Sequence, residues 1–140
     1  MTVNLTEHGT HIAIVSLDNQ AKCNALSRKD LKTLGAIWLE LQNSSYRCLI
    51  LTGAGDKSFC SGADLSGDLS AAPELSQTIY QGLLKYGVYR KPIIAAINGD
   101  CAGGGIELLL STDIRGTVPE ARFGLPEVRW GVYPFGGATL

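Results

Sequence analysis

One passage of this chain limits its possible folds more than any other. Pro92-Ile93-Ile94-Ala95-Ala96-Ile97 reads as a buried strand, and Ile106-Glu107-Leu108-Leu109-Leu110 reads as an apolar helix. Between them stand Asn98-Gly99-Asp100-Cys101-Ala102 and three consecutive glycines, Gly103-Gly104-Gly105. Glycine weakens a helix by about 0.5–1 kcal/mol relative to alanine. A carboxylate inside an apolar run carries a desolvation cost. A permissive backbone and a lone acid, Glu107, therefore share one strand-to-helix junction.

The same alternation runs through the rest of the sequence. Residues 3–6 and 12–17 have the pattern of strands, with Gly9 as the turn between them. From Ser27 the apolar period becomes helical. Leu31, Leu34, Ile37, Trp38 and Leu41 share a face, Ser27 is placed to cap it, and Asp30 stands three residues on. Residues 48–51 form a short β-type run, and a Gly/Ser/Asp-rich loop extends from 53 to 67. Leu75, Ile79, Leu83 and Tyr86 mark a second helix that stops before Lys91-Pro92. Residues 114–118 and the surroundings of Phe123 read as further short strands, and 135–140 as the opening of another helix. Strands alternating with helices predict an α/β fold with at least partly parallel pairing. No linker or repeat divides the chain, so residues 1–140 read as one domain.

Charge and cysteine usage exclude several function classes. With a formal net charge of −1 and scattered basic residues, the chain lacks the footprint expected of a partner for nucleic acid or an anionic membrane. Its densest basic group, Arg28, Lys29 and Lys32, reads as a solvated helix face. No segment reaches the roughly 20 apolar residues that span a bilayer. Asn4, Glu7 and His8 interrupt any apolar signal-peptide core. Cys23, Cys48, Cys60 and Cys101 are irregularly spaced without a C-x-x-C pair, which predicts free thiols and a cytoplasmic setting. His8 and His11 have ligand-like spacing but no third ligand nearby, so no metal site is expected.

Three segments offer chemistry. Glycine-rich turns before helices often bind phosphate, but neither G-x-x-x-x-G-K-[ST] nor G-x-G-x-x-G is present here. The glycines could simply allow close strand–helix packing, with Glu107 a first-turn acid favoured by the helix dipole. Alternatively, a glycine N–H at the helix start is left free for an oxyanion, and Glu107 points into the same pocket. The segment Ser58-Phe59-Cys60-Ser61-Gly62-Ala63-Asp64-Leu65 suits a second backbone donor, or else an ordinary turn organised by Asp64. Glu127 in Arg122-Phe123-Gly124-Leu125-Pro126-Glu127 is a second acid in an apolar neighbourhood, though an isolated acid is more often a surface residue.

Taken in this order, "FCSGADL", "INGDCAGGGIELLLSTDI" and "ARFGLPEVRWGVYP" resemble the enoyl-CoA hydratase/isomerase family, the crotonase superfamily. "DNQAKCNALS" is similar to that family's substrate-binding loop. The resemblance implies a crotonase-like spiral of ββα units, assembled as homotrimers or hexamers, acting on acyl-CoA thioesters. It implies an oxyanion hole from the N–H groups of Ala63 and Gly104, and catalytic roles for Glu107 and Glu127. Lys22, Ala63, Asp64, Leu65 and Gly104 fall where the family binds its substrate. Coenzyme A would enter as part of the substrate, with no separate cofactor. Two acids favour hydratase or dehydratase chemistry over single-acid isomerases. Burial should raise the pKa of either acid, whereas the helix start opposes that rise at Glu107, so Glu127 is expected to protonate more readily.

The chain departs from the family pattern in several places. Ser66-Gly67 stands where a lysine or acid is common, and Asp18-Asn19-Gln20 replaces an arginine-proline pair, leaving the stiffness of that loop open. Phe135 and Ala138 stand at frequent glycine positions. Family members are typically about twice as long, so the C-terminal helical part usual in the family is expected to be lacking. A non-catalytic acyl-CoA-binding or assembly module and a nucleotide-binding domain are the rival readings.

Overall fold

A computed structural model of the chain describes residues 2–66, 73–134 and 136–138. In chain order its elements are β1 (Val3–His8), β2 (Ile12–Leu17), a 3₁₀ turn (Gln20–Lys22), α1 (Arg28–Gln42), β3 (Cys48–Gly53), β4 (Ser58–Cys60), α2 (Leu75–Gly82), β5 (Ile93–Ile97), β6 (Asp100–Ala102), α3 (Gly104–Leu109), β7 (Ile114–Thr117), β8 (Phe123–Gly124) and α4 (Glu127–Trp130).

Two sheets divide the strands. The larger has the order β1-β2-β3-β5-β7, antiparallel only at the β1–β2 hairpin and parallel elsewhere. The smaller, β4-β6-β8, is parallel throughout. Each pass of the chain lays one strand in the large sheet, the next in the small sheet, and then a helix. The passes β3-β4-α2, β5-β6-α3 and β7-β8-α4 repeat this plan. A parallel bridge between Leu26 and Ala63 extends it to the pass that ends in α1. The result is a spiral of ββα units, as the motifs imply.

Local chemistry accounts for the main helix. Ser27 caps α1: its Oγ accepts from the Asp30 N–H, and Asp30 accepts from the Ser27 N–H, a reciprocal capping box. Leu31, Leu34, Trp38 and Leu41 form its buried stripe against Val15, Leu17, Leu49, Leu51 and Ile93 of the large sheet. Trp38 Nε1 donates to Gly82 O at 2.9 Å, fixing α1 against the end of α2. The α2 helix is shorter than its apolar spacing suggests. It ends at Gly82, before Leu83 and Tyr86, because Leu84 turns the chain at a positive φ of 58°. Strand β4 lies inside the segment read as one loop from 53 to 67, and β6 and α4 also escape the periodicity. The expected helix opening at 135–140 falls largely outside the described residues, as do Gly67 and Phe135.

Burial is uneven along the spiral. All four residues of β7 are exposed, as are Phe123, Val128 and Trp130 in the last pass. No helix among the described residues is long and apolar enough to cross a membrane.

The packing predicts two different costs on one helix. Leu34 is fully buried, so Leu34→Ala is expected to destabilise by about 2–5 kcal/mol. Leu39 is 65% exposed, so Leu39→Ala should change stability by no more than about 0.5 kcal/mol. Denaturant unfolding of the two variants checks this, and equal losses would contradict the assigned inner face.

Candidate active site

Three successive strand-to-helix junctions open on one cavity of about 480 Å³. It is lined by Ala63 after β4, Gly104 and Glu107 in α3, and Glu127 at the start of α4, together with Asp64 and Leu65. In parallel sheets such junctions, beyond the carboxyl ends of the strands, are where ligands are usually accommodated.

The ladder at Ala63 sets the direction of its N–H. Leu26 N–H donates to Gly62 O at 2.8 Å, and Asp64 N–H donates to Leu26 O at 2.9 Å. In a parallel bridge of this kind the polar groups of Ala63 itself face away from Leu26, toward the side occupied by α3. Gly104 is the first residue of α3, where an N–H has no acceptor within the helix. A Cβ built on Gly104 would stand 3.8 Å from the Ala63 nitrogen, so the two amides are neighbours.

Glycine is required for that approach. Gly62 has φ +94°, and a Cβ there would lie 2.9 Å from the Gly104 nitrogen. At Gly105 a Cβ would meet Cys60 O at 2.6 Å, so the helix start can seat on β4 only without a side chain. Close packing and an accessible N–H, posed above as alternatives, are thus properties of neighbouring glycines. Cys60 and Cys101 lie opposite each other in the β4–β6 pairing, both buried and both free. Burial pushes the Cys60 thiol up to about 12 and raises that of Cys101 as well, so neither is a ready nucleophile.

The two acids differ in their surroundings. Glu107 is only 5% exposed, and its Oε1 accepts from the Ala138 N–H at 3.4 Å. Burial raises its pKa, and the Glu127 charge adds to the rise. The N–H groups of Ala138 and Gly136 and the Lys85 ammonium oppose it. The net direction is upward, and burial is the largest cause. Oε2 of Glu127 is buried and finds no hydrogen-bond partner among the described residues. Its Oε1 stands over the triple glycine, 3.3 Å from where a Gly103 Cβ would be.

Lys22 does not line the cavity. Its ammonium reaches Asp64 Oδ2 at 2.7 Å and Ser66 Oγ at 2.6 Å, beside the Ala63 ladder. That contact, with two bonds from Ser66, holds the Asp64 carboxyl down at about 2. Arg28 and Lys29, read above as part of a solvated face, also border the cavity from the first turn of α1, and Lys29 remains exposed. Leu31, Ile79 and Leu83 provide apolar wall. In the loop that lacks arginine-proline, side chains supply the ties: Asn19 Nδ2 donates to Ala25 O at 3.2 Å, and Gln20 Nε2 to Asp18 Oδ1 at 3.1 Å. His8 and His11 flank the first turn, and no cluster suited to a metal ion occurs among the described residues.

The profile of the enoyl-CoA hydratase/isomerase family matches residues 7–140. The chain belongs to that family. It is 37% identical over 144 residues to the enoyl-CoA hydratase EchA19 of Mycobacterium tuberculosis, covering 97% of this chain and 54% of that protein. It is 40% identical over 134 residues to the short-chain-enoyl-CoA hydratase of Clostridium acetobutylicum, covering 90% of this chain and 51% of the relative. A crystal structure of an enoyl-CoA hydratase from Bacillus anthracis superposes with a TM-score of 0.87 at 32% identity, covering 98% of this chain and 55% of that one. The crotonase fold of this family is therefore the fold of this chain, which spans about half the length of the curated relatives it matches.

The raised pKa of Glu107 has a consequence for stability. Between the unfolded glutamate value of about 4.3 and the higher folded value, the native state binds more protons than the unfolded one. Stability contributed at this site therefore falls as pH rises through that window. Thermal melts from acid to neutral pH should show Glu107→Gln gaining on the parent with rising pH. Parallel curves would contradict the burial of a charged Glu107.

Proposed function

We propose that this chain carries the reaction centre of an enoyl-CoA hydratase, adding water reversibly across the 2,3-double bond of an acyl-CoA thioester. The observation that carries the reading is the shared cavity: Ala63 and Gly104, whose amides are neighbours, and the acids Glu107 and Glu127 line the same space.

In this reading the thioester oxygen accepts from the N–H groups of Ala63 and Gly104. Water attacks C3 and gives up a proton to Glu107. The electron pair of the double bond moves toward the carbonyl, and the resulting enolate oxygen bears the charge that the two N–H groups stabilise. Glu127 then delivers a proton to C2, the proton taken up by Glu107 returns to Glu127 through solvent before the next turnover, and the balance is one water added across one double bond. Losing one such donor typically costs about 2.7–4 kcal/mol of transition-state stabilisation. Burial raises the pKa of Glu107 toward the working pH, where a general base is most effective. The partnerless Glu127 Oε2 fits a group whose hydrogen-bond partner arrives with the substrate. The apolar wall of Leu31, Ile79 and Leu83 suits an acyl chain. Arg28 and Lys29 bring positive charge to the cavity that receives the anionic coenzyme A thioester. Coenzyme A comes with the substrate, and the scheme needs no other cofactor.

Glu127→Gln tests the assignment, because glutamine keeps the shape and removes the proton. Turnover, followed as loss of the enoyl-thioester absorbance, should fall by roughly 10²–10⁴-fold. Undiminished turnover would overturn the role of Glu127. A variant that still shifts double bonds while hydration is lost would move the reading to the isomerases of the family.

A further inference from the structure

Asn24 has only 1% of its surface exposed, and no step of the reaction above touches it. Its backbone is left-handed at φ 57°, directly after Cys23 at φ 51°. Asparagine adopts this conformation readily, whereas cysteine holds it only where the surroundings dictate it. The Asn24 side chain supplies such surroundings. Its Nδ2 donates to Ala54 O at 3.0 Å and Ser58 O at 2.7 Å, and its Oδ1 accepts from the Asn19 N–H at 2.9 Å. One side chain thus joins the loop after β2 to the loop that leads from β3 into β4.

Both amides of the candidate site hang from this junction. Residues 23–26 form a ladder with residues 61–64. Ser61 N–H donates to Cys23 O at 3.0 Å, and the Leu26 bonds described above complete the ladder on either side of Ala63. Ser58, a partner of Asn24, has its hydroxyl within reach of Cys23 O at 2.9 Å and Asp100 O at 3.0 Å, and its single proton serves one at a time. Asp100 opens β6, the strand that delivers Gly104. The path from Asn24 to Ala63 runs through three backbone hydrogen bonds, and the path to Gly104 through the pairing of β4 with β6 at Ser58 and Asp100, which the Ser58 hydroxyl reinforces.

We propose that Asn24 is a positioning residue for the paired amides. By clamping the two loops it fixes the direction of the Ala63 N–H relative to that of Gly104. The inference rests on the oxyanion reading of those amides.

Asn24→Gly keeps the left-handed backbone and removes the clamp. The readout is the infrared carbonyl stretch of an enoyl-CoA labelled with ¹³C at the thioester carbon, bound to the full chain, alongside kcat, KM and thermal melting. In the parent, the stretch should move to lower frequency on binding. In Asn24→Gly most of that shift should be lost and kcat should fall roughly 10²-fold, the scale of a small misplacement, with KM little changed. A carbonyl shift and kcat that match the parent, with only the melting temperature lowered, would overturn the proposal and leave Asn24 a purely structural residue. An unshifted carbonyl in the parent would instead overturn the oxyanion reading itself. If Asn24→Gly fails to fold, Ser58→Ala decides: a weakened carbonyl shift at unchanged KM supports the junction, and an unaltered shift sinks it.

Discussion

Everything at the candidate site depends on how closely the segment after β4 approaches the start of α3. A Cβ at Gly62 would come within 2.9 Å of the Gly104 nitrogen, and one at Gly105 within 2.6 Å of Cys60 O. Real side chains do not fit at such separations, so the two amides can be neighbours only because glycine occupies both sides of the contact. The helix and the loop belong to different turns of the spiral, and their contact converts a repeating architecture into a single cavity. Backbone donors gain from this origin. They are held by the bridge to Leu26 and by the helix rather than by rotatable side chains, so on the proposed reading little reorganisation would accompany the appearance of charge.

The acids follow from the same geometry. Glu107 lies in the first turn of the helix whose first residue supplies a donor, so one element places a donor and a carboxyl together. Glu127 comes from the next pass and reaches back over Gly103. The Glu127 charge adds to the rise in the pKa of Glu107. Burial is the larger cause.

Much of this was legible in the sequence where chemistry is local. The Ser27 cap, the buried stripe of α1, the β1–β2 hairpin at Gly9 and the strand before the triple glycine are all set by residues adjacent in the chain. Ala63, Gly104, Glu107 and Glu127 could be named because three motifs lie in a recognisable order, and their common cavity could be anticipated only through that resemblance. What was hidden depends on distant partners. Strands β4 and β6 are three residues each, too short for a period, and exist because they pair with one another. Leu83 and Tyr86 keep helical spacing beyond Gly82, yet Leu84 leaves the helix at a positive φ. That the solvated charges Arg28 and Lys29 also border the cavity shows only once the start of α1 is placed beside it. Nothing around Asn24 in the sequence reveals that its amide clasps carbonyls some thirty positions away.

The most direct test of the central claim is a crystal structure of the chain with a saturated acyl-CoA thioester, which can bind but cannot be hydrated. The thioester oxygen is expected at about 2.7–3.1 Å from both the Ala63 and Gly104 nitrogens, with Glu107 and Glu127 flanking C2 and C3. A thioester oxygen bound to neither amide, or carboxyls that both lie away from those carbons, would contradict it.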